Sequence, residues 1–395
     1  MPQKRKLSND ADDDRYHPNA QQTEDFGIVL RDFYPPEMSN ARCEAYTNGT
    51  IERPIETWQR AYTETAQQRN TISANAAVVH WFKTDLRLHD NRALQMAYQA
   101  AREHKIPLVT VYILSPQDLT AHLASPARVD LTLRTLGQLK RDLAELDVPL
   151  YMETVPRRSD VPGRLVDLCQ EWGANHLFAN LEYEVDELRR DASLVRRAAE
   201  NGIKFETAHD TCVVPPGLLS SQQGKQYAVY TPWFRAWLTF LDQNPEYLEI
   251  SADPGSNPGD ARRYFAALFD SNVPSPPENK QLDEEKAAGL RETYPAGEHE
   301  AFRRLEAFLD EKAKAYDDER NFLAGETTSV LSPYFASGAL SARTAVVKAR
   351  ETNNGKISRG EPGYISWISE VAWRDFYKHV LVHWPFIWYL QPSPT

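Results

Sequence analysis

Hydroxyl side chains gather before a proline in the last quarter of the chain, at residues 327–332, called here the hydroxyl segment. Its donors are Thr327, Thr328, Ser329 and Ser332, and Pro333 opens an apolar periodic stretch. The amino end of a helix exposes unpaired N–H groups and a positive dipole end, and adjacent hydroxyls add further donors. The segment therefore predicts a binding place for a phosphate, with an ordinary helix N-cap as the alternative.

A second group of candidate residues lies on a helix predicted over residues 366–380. At about 100° per residue, five side chains fall within an arc of about 120°: Trp367, Glu370, Trp373, Arg374 and Tyr377. The opposite side carries Ile365, Ile368, Ala372 and Phe376. Flat aromatic rings beside polar groups are what recognition of an extruded nucleobase requires. A buried ion pair of Glu370 with Arg374, flanked by packed indoles, explains the pattern equally well.

The charge distribution favours a local nucleic-acid site over a general one. The chain has a formal net charge of −11, whereas a general nucleic-acid coat needs a broadly basic surface. From residue 327 to the end, seven Lys or Arg stand against four Asp or Glu, a local charge of +3. The basic residues are thus concentrated beside the aromatic ones.

Cysteine content and hydropathy exclude other classes. Three cysteines, Cys43, Cys169 and Cys212, have neither the number nor the spacing of a disulfide scaffold or a zinc site, so no metal is predicted. The longest apolar run, residues 380–390, is interrupted by His383 and Pro385. A membrane span needs roughly 20 apolar residues, so we expect no membrane association.

Residues 76–210 alternate short apolar runs with segments of helical period. The runs are residues 77–82, 108–114, 150–155, 176–180 and 203–207, and the clearest helix is predicted over residues 126–146, with Ser125 as N-cap. This alternation predicts an α/β doubly wound parallel sheet, in which ligands lie beyond the carboxyl ends of the strands. No G-x-G-x-x-G motif follows the first strand, so a dehydrogenase-type dinucleotide site is not expected there.

The remaining chain divides into three segments. Residues 1–75 are polar and are predicted to be a mostly disordered extension, and Lys4, Arg5 and Lys6 fit either a minimal nuclear localisation signal or a solvated tail. Residues 211–288 are rich in Pro, Gly and Ser and are predicted to be an interdomain connector. Its aromatic stripe is expected to pack on the next domain: Tyr230, Trp233, Phe234 and Trp237. Residues 289–395 have helical period and begin an all-α domain.

Three motifs in this order resemble the DNA photolyase and cryptochrome family. They are the run from Trp81 to Asn91, the run from Thr328 to Tyr334, and the run from Glu370 to Tyr377. The resemblance covers about residue 77 to the last residues. It implies an α/β antenna domain followed by a helical domain that holds FAD, whose light-excited reduced form donates an electron to a pyrimidine dimer in DNA.

The resemblance assigns roles to individual residues. Residues that match flavin contacts are Tyr316, Thr328, Ser329, Val330, Leu331, Ser332 and Trp367. Residues that match contacts to DNA or to the lesion are Arg320, Glu370, Trp373, Arg374 and Tyr377. Asp186 and Glu187 match positions that hold an antenna folate, methenyltetrahydrofolate, although a solvated helix start is the simpler interpretation of these two acids. No residue is assigned as catalytic.

Two expectations concern the branch of the family and the extent of the chain. Glu370 together with Trp373 resembles class I cyclobutane pyrimidine dimer photolyases, which implies a deoxyribodipyrimidine photo-lyase. We expect a monomer located in the nucleus, with mitochondria as a second location. A blue-light photosensor of cryptochrome type and a non-catalytic relic that keeps the α/β domain are the alternatives. Chains of this family continue for well over a hundred residues beyond the lesion-facing helix. We therefore expect an incomplete helical domain with weak or no binding of FAD, in a fragment or a degenerate form.

Overall fold

The computed structural model describes residues 40–322 and 327–387. Its first part contains three helices followed by alternating strands and helices. In chain order these are α1 (Asn40–Thr47), α2 (Pro54–Glu64), α3 (Ala66–Asn70), β1 (Ala77–Phe82), α4 (Arg92–His104), β2 (Leu108–Leu114), α5 (Pro116–Ala121), α6 (Pro126–Glu145), β3 (Leu150–Thr154), α7 (Val161–Glu171), β4 (Ala174–Asn180), α8 (Val185–Glu200) and β5 (Lys204–Ala208).

These strands form one parallel sheet in the order β3-β2-β1-β4-β5. Strand β1 lies at the centre, and all six of its residues are buried because helices cover both faces of the sheet. The order of the strands reverses between β1 and β4, which is the topological switch point of a doubly wound sheet. The predicted fold class is therefore confirmed, and the strand ends differ from the predicted ones by at most two residues.

The longest helix of the sheet domain, α6, begins where the sequence predicts. The Ser125 hydroxyl accepts a hydrogen bond from the Arg128 N–H at 3.2 Å, and Pro126 occupies the first helical position. Leu136 and Leu143 are completely buried in the core beneath the helix. The predicted cap is therefore confirmed, and the buried leucines pack α6 against the sheet.

The prediction of disorder for residues 1–75 is wrong for residues 40–70, which contain α1, α2 and α3. Helix α2 begins at Pro54 and buries Ile55, Trp58 and Ala61 in the core that it shares with α8. These residues recur every three positions, which makes an apolar stripe that the polar composition of the whole segment conceals. Lys4, Arg5 and Lys6 lie outside the described residues.

Segments from outside the sheet contact both of its edge strands. The guanidinium of Arg69, on α3, donates to the carbonyl of Phe205 on β5 at 3.3 Å. At the other edge, Ser271 Oγ accepts from the Met152 N–H on β3 at 2.8 Å and donates to the Met152 carbonyl at 3.2 Å. The amino-terminal helices therefore cover one edge, and the predicted connector covers the other.

Residues 211–288 include α9 (Tyr230–Gln243), α10 (Ala261–Tyr264) and α11 (Ala266–Phe269). Trp233 and Trp237 of α9 are completely buried in the core of the helical part. This confirms that the aromatic stripe packs on the next domain. The predicted domain boundaries at residues 210 and 288 stay predictions.

The described residues from 284 onward contain helices and no strand, as predicted. The helices are α12 (Glu284–Thr293), α13 (Glu298–Glu311), α14 (Tyr316–Glu319), α15 (Ser332–Ser337), α16 (Ala342–Thr352) and α17 (Pro362–His383). Residues of α13, α16 and α17 share one core with those of α9. This core holds the helices that carry the candidate site.

A buried ionic cluster joins the helical part to the sheet domain. Arg343 of α16 donates from Nε to Asp90 Oδ1 at 2.9 Å and from Nη2 to Asp210 Oδ1 at 2.8 Å. The Ser341 hydroxyl donates to Asp90 Oδ2 at 2.6 Å, and Arg87 pairs with Asp210. The side chains of Arg343 and Asp90 are completely buried, so the cluster fixes the loop after β1 against α16.

Among the residues that the structure describes, no helix is long and apolar enough to cross a membrane. Within the same residues, no group of three or more His, Cys, Asp or Glu side chains could hold a metal ion.

Candidate functional site

Helix α17 carries a row of side chains that reaches the surface. Glu370 and Tyr377 are exposed, and Trp373 between them is half-buried. On the opposite side, Ile368 and Ala372 are completely buried in the helical core. The amphipathic pattern predicted for this helix is therefore present, and the row of Glu370, Trp373 and Tyr377 is called the aromatic row below.

Arg320, just after α14, lies against the aromatic row and pairs with Glu370. The alternative pair of Glu370 with Arg374 is not formed, because Arg374 Nη1 donates to the Thr211 carbonyl. The side chains of Arg320 and Glu370 are 36% and 43% exposed, and such an exposed pair contributes at most about 1 kcal/mol. A phosphate could therefore replace Glu370 as the partner of Arg320 at little cost.

The Trp373 indole has an aromatic partner from outside the row. The ring of Tyr230, at the start of α9, is stacked on it with centroids 3.6 Å apart and planes 9° apart. Phe376 contacts the indole edge-to-face at 5.5 Å, and the Tyr377 ring lies at 5.6 Å. Sequence reasoning assigned Tyr230 to core packing and missed this contact, because only the fold brings α9 beside α17.

Two predicted flavin contacts, Tyr316 and Trp367, lie together on the buried side of α14 and α17. Both pack against Phe308 of α13, with ring centroids 5.6 Å and 5.3 Å away. Tyr316 is 9% exposed and Trp367 is 3% exposed. Trp367 therefore faces the core, although its angular position predicted that it would share the face of Glu370 and Trp373.

The hydroxyl segment leads into α15 beside α14. The Thr327 hydroxyl donates to the Glu319 carbonyl at 3.1 Å, and Leu331 is buried in the helical core. Leu331 occupies the N-cap position without a side-chain bond, so the ordinary N-cap alternative is not what the structure shows. Thr328 and Ser332 are exposed and accessible to an anion.

Val330 interrupts the hydroxyl segment with a left-handed backbone, at φ 52°. A β-branched residue rarely adopts this conformation, and such strain is concentrated at ligand-binding sites.

Asp186 and Glu187 lie in the first turn of α8, at the other candidate site. Asp186 Oδ2 is 2.5 Å from Arg158 Nη2, and Glu187 Oε1 is 2.8 Å from His122 Nε2. Burial lowers the pKa of His122, but the charge and hydrogen bond of Glu187, together with the charges of Asp118 and Asp186, outweigh burial and raise this pKa to about 9. Glu187 is only 8% exposed. Both acids are therefore held by cations, and the solvated helix start is not what the structure shows.

The two candidate sites are linked through α17. Glu184, the residue before α8, pairs with Lys378 on α17. The start of α8 therefore lies against the helix that carries the aromatic row, although nearly two hundred residues separate them in sequence.

The back of α17 is fixed to the segment that follows β5. Asp375 Oδ2 accepts hydrogen bonds from the N–H groups of Val213 and Val214 at 2.8 and 3.3 Å. His379 Nε2 lies 2.8 Å from the Val214 carbonyl. Burial of the Asp375 carboxyl raises its pKa to about 6, despite the nearby Arg374 charge and these two bonds.

Replacing Asp375 by asparagine should change the pH dependence of stability. The folded pKa is raised above the unfolded value, so the wild-type chain is relatively stabilised below about pH 4 and loses this contribution as pH rises through about 6. Between pH 5 and pH 8, we expect wild type to lose about 1 kcal/mol relative to Asp375→Asn. Urea unfolding of both proteins across this range measures the difference. A difference that is constant with pH would show that Asp375 does not titrate there.

Sequence reasoning assigned no site to the polar crevice where the sheet domain meets the helical part. It lies beyond the carboxyl ends of β1 and β4 and is lined by Lys83, Asp85, Asn180, Glu182 and Arg374, among others. Asn180 Nδ2 donates to Asp85 Oδ2 at 2.6 Å, and burial raises the pKa of the Asp85 carboxyl. The polar run directly after β1 was the available signal, because ligands of doubly wound sheets bind at this edge.

A doubly wound sheet followed by a helical part is an architecture that known proteins share. Residues 78–250 match the family described as DNA photolyase. A deoxyribodipyrimidine photo-lyase of Neurospora crassa is 53% identical over 385 residues, which cover 96% of this chain and 63% of that relative. The chain belongs to the DNA photolyase family, which confirms the resemblance seen in its motifs.

More distant relatives carry the same name as the Neurospora protein. A deoxyribodipyrimidine photo-lyase of Vibrio cholerae is 34% identical, over 76% of this chain and 60% of the relative. A mitochondrial one of Saccharomyces cerevisiae is 27% identical, over 92% of this chain and 66% of the relative. The chain thus spans about three fifths to two thirds of the length of these curated relatives. Membership of the family implies a flavin cofactor.

Solved structures share the fold. A class III photolyase of Agrobacterium tumefaciens superposes with a TM-score of 0.60 at 24% identity, over 78% of this chain and 60% of the other. A cryptochrome of Synechocystis superposes with a TM-score of 0.61 at 19% identity, over 78% of this chain and 61% of the other. At these identities the two structures support the architecture alone.

Proposed function

We propose that this chain acts in the light-dependent repair of cyclobutane pyrimidine dimers in DNA, as a deoxyribodipyrimidine photo-lyase. The observation that carries the proposal is the aromatic row of α17 with Arg320 beside it. A flat indole, a carboxylate and an exchangeable guanidinium lie together on one accessible face. The names of the curated relatives support the same activity.

Each residue of this face has a defined task in the proposal. The Trp373 indole offers a flat apolar surface for an extruded pyrimidine dimer, and Glu370 offers a hydrogen-bond acceptor for the polar edge of the dimer. Arg320 contacts a DNA phosphate after it leaves Glu370, and Tyr377 is exposed for a further DNA contact. Arg374 donates to the Thr211 carbonyl, so it must break this hydrogen bond before it can contact DNA as proposed.

We propose FAD as the flavin and a folate, methenyltetrahydrofolate, as the antenna. The exposed hydroxyls of Thr328 and Ser332 fit a phosphate of FAD, while Ser329, Val330 and Leu331 supply the backbone between them. Tyr316 and Trp367 form the adjacent aromatic wall, and Asp186 and Glu187 are the antenna contacts. The flavin, when bound, would supply the electron that splits the dimer.

Location and oligomeric state belong to the proposal as well. We propose a monomer that acts on DNA in the nucleus. Mitochondria are the second proposed location, which the name of the yeast relative supports. Fractionation of cells that produce the full-length gene product distinguishes these locations.

The photosensor alternative has less support, because the curated relatives are photo-lyases and the cryptochrome similarity shows the fold alone. A repair assay on the full-length gene product separates the two. Restoration of thymines from dimer-containing DNA under blue light is expected. Light-dependent absorbance changes of the flavin without restoration would favour the photosensor.

Trp373→Ala should selectively weaken the binding of damaged DNA. Stacking of a base on an aromatic side chain contributes about 1–3 kcal/mol, so we expect dimer-containing DNA to bind about 5- to 150-fold more weakly. Undamaged DNA is held through its phosphates, and its affinity should barely change. Equilibrium binding of the full-length gene product to both duplexes at one fixed salt concentration measures this.

Trp172→Ala is the matched control, because Trp172 is a half-buried tryptophan that packs on Tyr151 in the sheet domain. It should leave both affinities unchanged. If Trp373→Ala weakens both duplexes equally, or neither, the indole is a packing residue and the lesion-facing assignment of α17 is wrong.

A further inference from the structure

Tyr230 is held at both ends by α17, although it belongs to a different part of the chain. Its ring lies flat on the Trp373 indole, and its hydroxyl is 2.8 Å from both the carbonyl and the Oγ of Ser369. Ser369 lies one helical turn before Trp373 on α17. The tyrosine therefore spans one turn of the helix and fixes the plane of its ring relative to that turn.

The other side of Tyr230 is also supported. Phe234, one turn further along α9, stacks on it with centroids 5.4 Å apart and planes 13° apart. Phe376 contacts Tyr230 edge-to-face at 5.6 Å and Trp373 edge-to-face at 5.5 Å. The indole thus rests on a stack that continues into the buried core formed by α9 and α17.

This arrangement restricts how Trp373 can meet a ligand. An indole has two faces, and Tyr230 covers one of them at van der Waals distance. The Tyr377 ring covers the indole less closely, because its centroid is 5.6 Å away and its plane is tilted by 29°. Trp373 itself is only half-buried, so its own helix does not enclose it. Without the tyrosine, the indole would have rotamer freedom that is lost when a base stacks on it.

We propose that Tyr230 is a positioning residue for lesion recognition: it fixes the Trp373 indole so that an extruded base stacks on the opposite face. This inference rests on the proposed repair function. Tyr230 does not contact the base itself; its effect passes through Trp373. Immobilising one rotamer-rich side chain on binding reduces affinity by about two- to tenfold, and Tyr230 removes that loss in advance.

The test compares Tyr230→Leu with Tyr230→Phe in the full-length gene product. Leucine fills part of the space but cannot stack, so we expect dimer-containing DNA to bind about two- to tenfold more weakly, with undamaged DNA unchanged. Phenylalanine keeps the stacked ring and loses only the hydroxyl, so it should retain most of the discrimination. Phe240→Leu is the matched control, because Phe240 lies on the same helix and packs on Tyr247 instead.

A double-mutant cycle separates positioning from general destabilisation. In the Trp373→Ala background, Tyr230→Leu should have no further effect on discrimination, because the residue that it positions is absent. Additive losses in the cycle, or loss of affinity for both duplexes, would overturn the inference. Equal discrimination by wild type and Tyr230→Leu, with Trp373→Ala impaired, would overturn it and leave the repair function standing. Unimpaired Trp373→Ala would instead remove the proposed function on which it rests.

Discussion

Arg343→Ala is expected to lower the free energy of unfolding by about 3–5 kcal/mol. The Arg343 guanidinium is completely buried between Asp90 and Asp210, which are buried as well. Truncation to alanine leaves two carboxylates without their shared cation, in a place that water does not reach. Removing one partner of a buried pair is costly for this reason, even where replacing the whole group is not. Urea unfolding followed by circular dichroism measures the loss.

Lys348→Ala is the control for this prediction, because Lys348 lies half-exposed on the same helix, α16. Its effect should stay within about 0.5 kcal/mol. A similarly small effect of Arg343→Ala would mean that Arg87, Ser341 and Thr344 are sufficient to stabilise the two carboxylates.

Gly338→Ala should cost about 3 kcal/mol or more, because two penalties combine. Gly338 has φ +74°, a left-handed conformation in which an L-residue is strained. A Cβ at this position would also lie 2.0 Å from the Thr84 carbonyl, in the loop that follows β1. Since the Gly338 carbonyl accepts from Arg87 at 3.1 Å, the clash would push apart the two parts of the chain that this bond joins.

Gly355→Ala isolates the conformational part of that cost. Gly355 has φ +75°, and a Cβ there would meet nothing within 4 Å. It should therefore lose only about 1–2 kcal/mol, the cost of the left-handed conformation. Thermal or urea unfolding measures the loss of stability in both variants. The loss for Gly338→Ala minus the loss for Gly355→Ala is the cost of the clash with Thr84. Equal losses would show that the contact with Thr84 relaxes at no cost.

The sheet domain could be predicted from the sequence because its signals are local. The central strands are apolar runs, and Ser125 with Pro126 marks the start of α6 by adjacent residues alone. The amino-terminal helices were not predicted, because the apolar stripe of Ile55, Trp58 and Ala61 is short. These residues are buried only because they pack against α8, which lies more than a hundred residues later in the sequence.

The candidate site was predictable in its residue types and unpredictable in its pairings. The helical period put Glu370, Trp373 and Tyr377 on one face, as the structure has them. The partners of these side chains come from elsewhere: Arg320 from the end of α14 and Tyr230 from the predicted connector. Periodicity reports which face a residue occupies but carries no information about which segment packs there.

The contacts of Arg69 and Ser271 with the outer strands have a consequence for self-association. A strand at the border of a sheet presents unpaired N–H and C=O groups, which can recruit a strand from another molecule. Arg69 takes the Phe205 carbonyl, and Ser271 takes both backbone groups of Met152. At these positions, the backbone groups of both edge strands are therefore not available to pair with a strand of another molecule. A protein shortened to the predicted sheet domain, residues 76–210, would lack both Arg69 and Ser271. We expect it to polymerise during refolding through its edge strands, β3 and β5.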